Sequence, residues 1–251
     1  MRRTTGYAPW IGMMLLPILV LQPGSQPLKI GLLTFLVGSA GDVTVRHYHS
    51  TAWVPAKLKM ELFEGDVIRT AKESRAEITL TDKSVLRIGE QTELELSKAT
   101  ISKKTREVQT NLKKGKLWAN IAQAGPSRTF QVKAPTAVCA VRGTIYRVDA
   151  DSSTTVLVYD GAVDVGPLGK AEGKEPKPRP RSLEPYQIPG PYEVPPPYQV
   201  TLEEWIRIVK GFQVTVRPDG KYHKRRFDEA EDAKLEWVRW NKDRDRQFRQ
   251  H

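Results

Sequence analysis

The sequence is poor in the residues on which most catalytic and metal chemistry depends. It has one cysteine, Cys139, and four histidines, His47, His49, His223 and His251. A single thiol excludes an intrachain disulfide and a cysteine-rich metal site. Cys139 lies in Thr136-Ala137-Val138-Cys139-Ala140-Val141, a run of small and β-branched residues, and so reads as a buried, inert thiol. There is no nucleophile elbow, phosphate-cradling glycine loop or helical zinc motif. His47 and His49 would share a face on a strand, where a third ligand brought by folding could complete a metal site. The plainer reading is a solvent-facing pair. Carboxylates are plentiful, but no pair stands apart from the solvated faces of strands. The expectation is a protein without catalytic residues, cofactor or metal.

Also missing is an uninterrupted apolar run of the roughly 20 residues that cross a bilayer. The stretch from Trp10 to Leu21 is too short and contains Pro17. Arg2 and Arg3 precede it, and Gln22-Pro23-Gly24-Ser25-Gln26-Pro27 follows. A basic start, an apolar run and a polar breaker are the parts of a secretory signal. No cysteine follows the run, so lipid attachment is not expected. Residues 1–27 therefore read as a signal peptide. The alternative is an uncleaved anchor in the inner membrane, with membrane contact through the N-terminus. Leu28 to Val37 reads as the first strand of the exported protein.

A dedicated basic stripe is absent too. The net charge of +11 suggests anionic partners. The cations, however, are dispersed in mixed runs such as Lys103-Lys104-Thr105-Arg106-Glu107, without interleaved aromatics. Nucleic acid is not an expected partner.

What is present is a period of two. Val43 and Val45, then Ala76, Ile78 and Leu80, then Leu94 and Leu96, alternate with polar residues. Val108, Thr110 and Leu112 continue the pattern, as do Leu117, Ala119 and Ile121 after Lys113-Lys114-Gly115. Such alternation puts one set of side chains on a core and the other in water. Asp82-Lys83 and Asp160-Gly161 separate strand-like runs, and Asp-Gly suits a tight hairpin. Val138–Val141 and Val156–Tyr159 are apolar on both faces and should be central, doubly covered strands. The fold class expected is an all-β main domain, a sandwich or roll of short antiparallel strands, with a small α+β C-terminal segment.

The strands carry an ordered set of motifs. They run Gly41-Asp42-Val43-Thr44-Val45, Leu62-Phe63-Glu64-Gly65-Asp66-Val67-Ile68-Arg69-Thr70 and Ser74-Arg75-Ala76-Glu77-Ile78-Thr79-Leu80. Leu112-Lys113-Lys114-Gly115-Lys116-Leu117 and Phe130-Gln131-Val132-Lys133-Ala134-Pro135 follow. Val141-Arg142-Gly143-Thr144-Ile145-Tyr146-Arg147-Val148 and Asp160-Gly161-Ala162-Val163-Asp164-Val165 close the series. Residues 28–166 resemble the FecR-domain family in the order and spacing of these motifs. The resemblance implies a non-catalytic, envelope-located module concerned with signalling, whose best-known members sense an outer-membrane receptor and act on a sigma factor. This sequence departs from that plan. Only about nine residues precede the apolar start, too few for a sigma-binding region, so that role is not carried over. Lys83 also stands where such domains commonly have glycine.

The motif residues that the resemblance singles out are Gly65, Asp66, Thr70, Gly115, Arg142, Gly143, Thr144 and Gly161. Gly65, Gly115 and Gly143 read as turns or close approaches. Arg142-Gly143-Thr144 reads either as a partner-contacting loop or as a corner in which Thr144 bonds backbone and Arg142 meets an acid.

Composition changes after Gly166. Residues 167–200 are a proline-rich, semi-rigid linker carrying Tyr186, Tyr192 and Tyr198. Residues 201–251 are expected to form a helix, a hairpin and a second helix. Thr201-Leu202-Glu203-Glu204 reads as a capping box, with Trp205, Ile208 and Val209 on one helical face and Gly211 as the stop. Asp228 would cap a final helix to about Gln247. Trp205, Trp237, Trp240 and Phe248 are the candidate partner-binding residues, or else they pack on the chain itself. The partner expected is an envelope protein; peptidoglycan or another glycan is the alternative.

Overall fold

The computed structural model describes residues 27–101, 106–122, 128–168, 200–201 and 204–248. The signal-or-anchor reading of residues 1–26, nearly all of the linker with its three tyrosines, and Leu202 and Glu203 of the capping box lie outside the described residues.

The described strands are β1 (Lys29–Val37), β2 (Val43–Arg46), β3 (Val54–Pro55), β4 (Glu61–Phe63), β5 (Val67–Thr70) and β6 (Arg75–Leu80). They continue with β7 (Val85–Ile88), β8 (Glu93–Ile101), β9 (Arg106–Asn120), β10 (Arg128–Lys133), β11 (Val138–Val141) and β12 (Ile145–Ala150). After them come β13 (Thr154–Asp160), β14 (Ala162–Gly166), β15 (Val200–Thr201), β16 (Ile206–Val209), β17 (Phe212–Val216) and β18 (Lys221–Arg226). Two helices end the chain, α1 (Glu229–Asp232) and α2 (Glu236–Phe248).

The strands form two layers. Sheet I runs β4-β1-β6-β7-β9-β12-β13-β17-β18-β15. Sheet II runs β3-β2-β5-β8-β9-β10-β11-β14-β16. Every pair is antiparallel except β9 with β10, which is parallel. The apolar residues of the alternating runs meet between the layers in one core. Val45, Ile68 and Leu94 come from sheet II, and Ile78, Leu86 and Val148 from sheet I, all fully buried. The sandwich expected from the period of two is therefore the structure.

Strand β9 belongs to both sheets. Residues 106–114 pair with β8 and β10, and residues 115–120 pair with β7 and β12. The inward set changes parity here, from Val108, Thr110 and Leu112 to Leu117 and Ala119. Gly115 makes the change, at φ +97°. A Cβ there would sit 2.2 Å from Thr92 Oγ1 and 2.5 Å from Thr92 Cα. What reads locally as two strands is one strand bent at a close approach.

Two expectations are corrected. Asp160-Gly161 is not a hairpin turn: β13 lies in sheet I and β14 in sheet II, so the dipeptide carries the chain between layers. Its left-handed glycine, at φ +79°, serves a corner as well as a hairpin. Residues 206–209 are a strand, not a helix. Ile206 and Ile208 face the core beside Val165 and Val163 of β14, while Arg207 forms a cross-strand pair with Asp164 at 2.8 Å. The open edge of β14 offers a ladder that outweighs a short helix of intermediate propensity. Ile208, Val214 and Val216 are fully buried in the shared core, so strands from 206 onward complete the two sheets. Asp228 does cap a helix, accepting hydrogen bonds from Ala230 N and Glu231 N. That helix is the short α1, and α2 begins separately at Glu236.

Adding a Cβ at Gly115 strikes backbone, so Gly115→Ala should lower stability by about 3 kcal/mol in urea unfolding. Lys83 is exposed at φ 71° in the β6–β7 turn. Relieving it with Lys83→Gly should raise stability by roughly 0.5–1 kcal/mol. A loss there would mean the left-handed turn is not strained.

Candidate functional site

The outer face of sheet I is built from the polar phase of its strands. Glu77, Arg87, Trp118, Arg147, Leu157 and Tyr159 project there, opposite the core residues that flank them. Sequence alternation assigns Glu77 to water. In the structure Glu77 is 2% exposed and Arg87 fully buried, because α1 and α2 cover this face. The apolar part of the contact is a second cluster of Trp118, Leu157, Tyr159, Trp237 and Val238.

The polar part holds the helix by charge. Arg87 Nε donates to Glu77 Oε2 at 2.6 Å, and its Nη1 donates to Asp245 Oδ1 at 2.7 Å. Asp245 also accepts from Trp118 Nε1 at 2.9 Å and Asn120 Nδ2 at 3.0 Å. From the helix, Arg244 donates twice to Glu77, at 2.8 and 3.0 Å. Burial opposes ionisation of Glu77, but the Arg244 and Arg87 guanidinium groups outweigh it and hold the carboxyl below its ordinary value. At the other end, Asp232 of α1 accepts from Arg147 Nη1 at 3.0 Å and from the Tyr159 hydroxyl at 2.6 Å. Burial pushes the Tyr159 hydroxyl far up, so it stays a donor.

Beside this anchorage, between α1, α2 and sheet I, lies a cleft of about 450 Å³. Trp118, Ile145 and Tyr159 give it apolar walls; Lys210, Lys242 and Arg246 bring cations, and Asp160, Glu229 and Asp245 bring carboxylates. Trp118 stacks on Tyr159 at 4.5 Å, and Lys242 Nζ stands 5.1 Å from the Tyr159 ring. The arrangement suits recognition of an amphipathic group. Within it Glu229 meets Lys242 at 3.7 Å, while Asp245 is held from beneath by Arg87.

The candidate aromatics separate. Trp237 is buried on the chain's own β domain, and Trp240 stacks on it at 5.5 Å while approaching Phe35 at 6.2 Å. Trp205 lies against Gly166, where a Cβ would come within 2.6 Å of its ring. Phe248 is 45% exposed. The aromatic face of the final helix is thus turned inward, and of the four only Phe248 is presented to solvent.

The motif residues gather at the corners between layers. Asp66 is buried; its carboxylate accepts from Phe63 N at 3.0 Å and Tyr48 N at 3.1 Å, and meets His47 Nδ1 at 3.1 Å. Gly65 precedes it at φ +85°. Thr70 Oγ1 donates to the Gly89 carbonyl at 2.5 Å and accepts from Thr92 N at 3.0 Å. Thr92 Oγ1 in turn accepts from Lys116 N at 3.0 Å, beside Gly115. Thr144 Oγ1 donates to the Ala162 carbonyl at 2.9 Å, locking Arg142-Gly143-Thr144 against Gly161. Arg142 is exposed at this corner. His47 and His49 sit in a turn after β2, not on a strand; His49 has φ 61° and its ring lies 3.8 Å from that of Tyr48. Among the described residues no group of three His, Cys, Asp or Glu could hold a metal ion. Cys139 is buried, and desolvation raises its thiol to about 12. Sequence reading missed Glu77, Arg87, Asp232 and Asp245, whose local signal is the apolar residues Trp118, Leu157 and Tyr159 in the outward phase.

A family model described as FecR protein matches residues 66–164. No curated protein matches the chain. Two crystal structures of a candidate anti-sigma factor from Parabacteroides distasonis ATCC 8503 are similar to it, each with 18% identity and a TM-score of 0.45. Each alignment covers 64% of this chain and 60% of that chain, so this chain spans less than two thirds of their length.

Arg87→Ala leaves Asp245 without its cation beneath α2, takes one of two guanidinium partners from Glu77, and should cost about 3–5 kcal/mol in urea unfolding. A carboxyl held low by folding contributes stability that is complete above its unfolded pKa and fades as pH falls through its folded pKa. Acidification through and below the ordinary carboxylate range should therefore weaken the helical cap. Glu77→Gln should lower stability at neutral pH and flatten the acid limb of the stability curve. An acid limb as steep as in the parent would refute the ionic anchorage.

Proposed function

We propose that this chain is a non-catalytic interaction module of the FecR-domain kind, placed in the cell envelope and binding a protein partner there as part of signalling. The observation that carries the reading is the match of residues 66–164 to the FecR model, joined to where the matched motif residues lie. Asp66, Thr70 and Thr144 all hold corners by side-chain to backbone hydrogen bonds. A domain whose shared residues maintain a scaffold leaves recognition to its surfaces. The cleft beside α2, with apolar walls and charges of both signs, has the chemistry of a protein-contact site. Leu235 and Phe248, 53% and 45% exposed, are separate apolar residues at the two ends of α2.

The test is chemical crosslinking of the tagged, full-length protein in intact envelopes, with adducts identified by mass. The expected result is a discrete protein adduct that is lost when the cleft cations Lys242 and Arg246 are both changed to Glu. Salt-dependent pelleting with purified sacculi, without a protein adduct, would replace this reading with glycan binding. Turnover of a substrate by the purified chain would overturn it altogether.

A further inference from the structure

The span from Asp228 to Phe248 contains no glycine, proline, serine or threonine. Ala233-Lys234-Leu235-Glu236, at its middle, are all strong helix formers. Composition favours one helix here, yet the structure divides the span into α1 and α2. The break carries none of the usual stop signals. Ala233 keeps a right-handed conformation at φ −69° and ψ −10°, and neither Lys234 nor Leu235 has a positive φ. Leu235 stands at the start of α2, where an apolar side chain offers no cap. Between the helices Lys234 N donates to the Glu231 carbonyl at 3.0 Å, and Leu235 N to the Asp232 carbonyl at 3.1 Å. Both bonds run from residue i to i−3, a tightened stretch of the kind found at hinges.

The break is imposed from outside the span. Asp232 is held by Arg147 and Tyr159, Glu236 by Arg75, Arg244 by Glu77 and Asp245 by Arg87. Glu229 of α1 meets Lys242 of α2 at 3.7 Å. On a straight helix these two positions would stand about 20 Å apart along the axis, so the contact belongs to the broken form alone. Apolar support for that form is small. Trp237 and Val238 are the buried apolar residues of α2, and they join a cluster separate from the main core. Trp237 Nε1, Asn241 Oδ1 and Arg87 Nη2 are buried in the same seam without a hydrogen-bond partner among the described residues, which opposes closure. A straight helix would instead pair the last carbonyls of α1 with the first N–H groups of α2.

We infer that residues 229–248 are a two-state element: one helix held broken by sheet I, with Ala233-Lys234-Leu235 as its hinge. In the second state the span straightens, α2 leaves sheet I, and Trp118, Leu157 and Tyr159 are uncovered. The cleft is built from both sides of the hinge, Glu229 on α1 and Lys242, Asp245 and Arg246 on α2. Straightening dismantles it, so a partner seated there clamps the broken form. That regulatory consequence rests on the interaction-module reading; the hinge does not.

The test is pulsed electron paramagnetic resonance on the full chain, with spin labels at Ala230→Cys and Asp243→Cys. Ala230 is exposed and Asp243 half exposed, while Cys139 is buried and stays unlabelled. Two distances are expected, a short one from the broken form and a long one matching a backbone separation of about 20 Å. Leu235→Asp supplies α2 with an N-cap and should lower the long fraction roughly fivefold. Arg244→Gln frees the helix from Glu77 and should raise the long fraction, with helical circular dichroism undiminished. A single short distance in the parent and both variants would overturn the proposal. So would a long fraction that neither variant moves, or one accompanied by loss of helix, which is fraying. The two readings fail separately. Two distances without an envelope adduct leave the hinge and remove the module reading; an adduct with one short distance does the reverse.

Discussion

The structure depends on a chain that keeps changing layers. From β1 to β2, β4 to β5, β5 to β6 and β7 to β8, consecutive strands lie in different sheets; the same holds for β11 to β12, β13 to β14 and β16 to β17. Each crossing takes backbone out of its ladder while it still lies against the core. The freed N–H and C=O groups need partners, since burying them unpaired costs about 1–3 kcal/mol each. Short side chains provide those partners. Thr70 spans the corners at Gly89 and Thr92, Thr144 joins two corners by bonding Ala162, and Asp66 ties a third to the turn at Tyr48. Glycine, threonine and aspartate recur in the motifs for this reason: they fit left-handed backbone and reach backbone groups at short range.

The second constraint is the outer face of sheet I. A sheet with polar residues on that face could have stood in water, but here a helix from the far end of the sequence covers it. The apolar cluster around Trp118 and Trp237 supplies the burial. It does not by itself fix how the helix lies, because dispersion and hydrophobic contacts carry little directionality. The ion network does. Glu77 receives Arg87 from its own sheet and Arg244 from the helix, while Asp245 returns the contact to Arg87. Two charges from each element interlock, so sliding the helix by one turn would part Arg244 from Glu77 and leave Asp245 without its cation. Such a network adds little net stability relative to apolar residues of the same shape and much orientation.

How much of this was legible follows from what a period of two encodes. It tells which residues oppose each other, so Ala76, Ile78, Leu94 and Leu96 could be assigned to one core. It does not tell whether the opposite face is covered. Glu77 therefore reads as solvated, although the apolar outward phase at Trp118, Leu157 and Tyr159 marks where a cover must sit. At Trp205 to Val209 the window is too short to separate periods, and Gly211 fits a helix stop and a corner equally. The deciding interaction, pairing with β14, lies some forty residues earlier. Asp160-Gly161 shows the same limit: positive φ is a local property, whereas hairpin or corner depends on which sheet receives the next strand.

Charge illustrates the difference between linear and assembled patterns. Along the sequence most cations fall in mixed runs, with Lys221-Tyr222-His223-Lys224-Arg225-Arg226 the exception that is already basic as written. Folding changes their neighbours. Many acids become internal partners: Glu77 and Asp245 go beneath α2, Asp232 goes to Arg147, and Glu93 to Arg69 and Lys113. The cations of β18 are left without such partners among the described residues. Pro55 answers a different need at the edge of sheet II, where it withholds a donor that a neighbouring strand could use. On β18 the cations stay unneutralised because the partner strand offers no acid: Phe212, Gln213, Val214, Thr215 and Val216 lie opposite. Charge is thus set by the ladder a residue joins as much as by its neighbours along the chain.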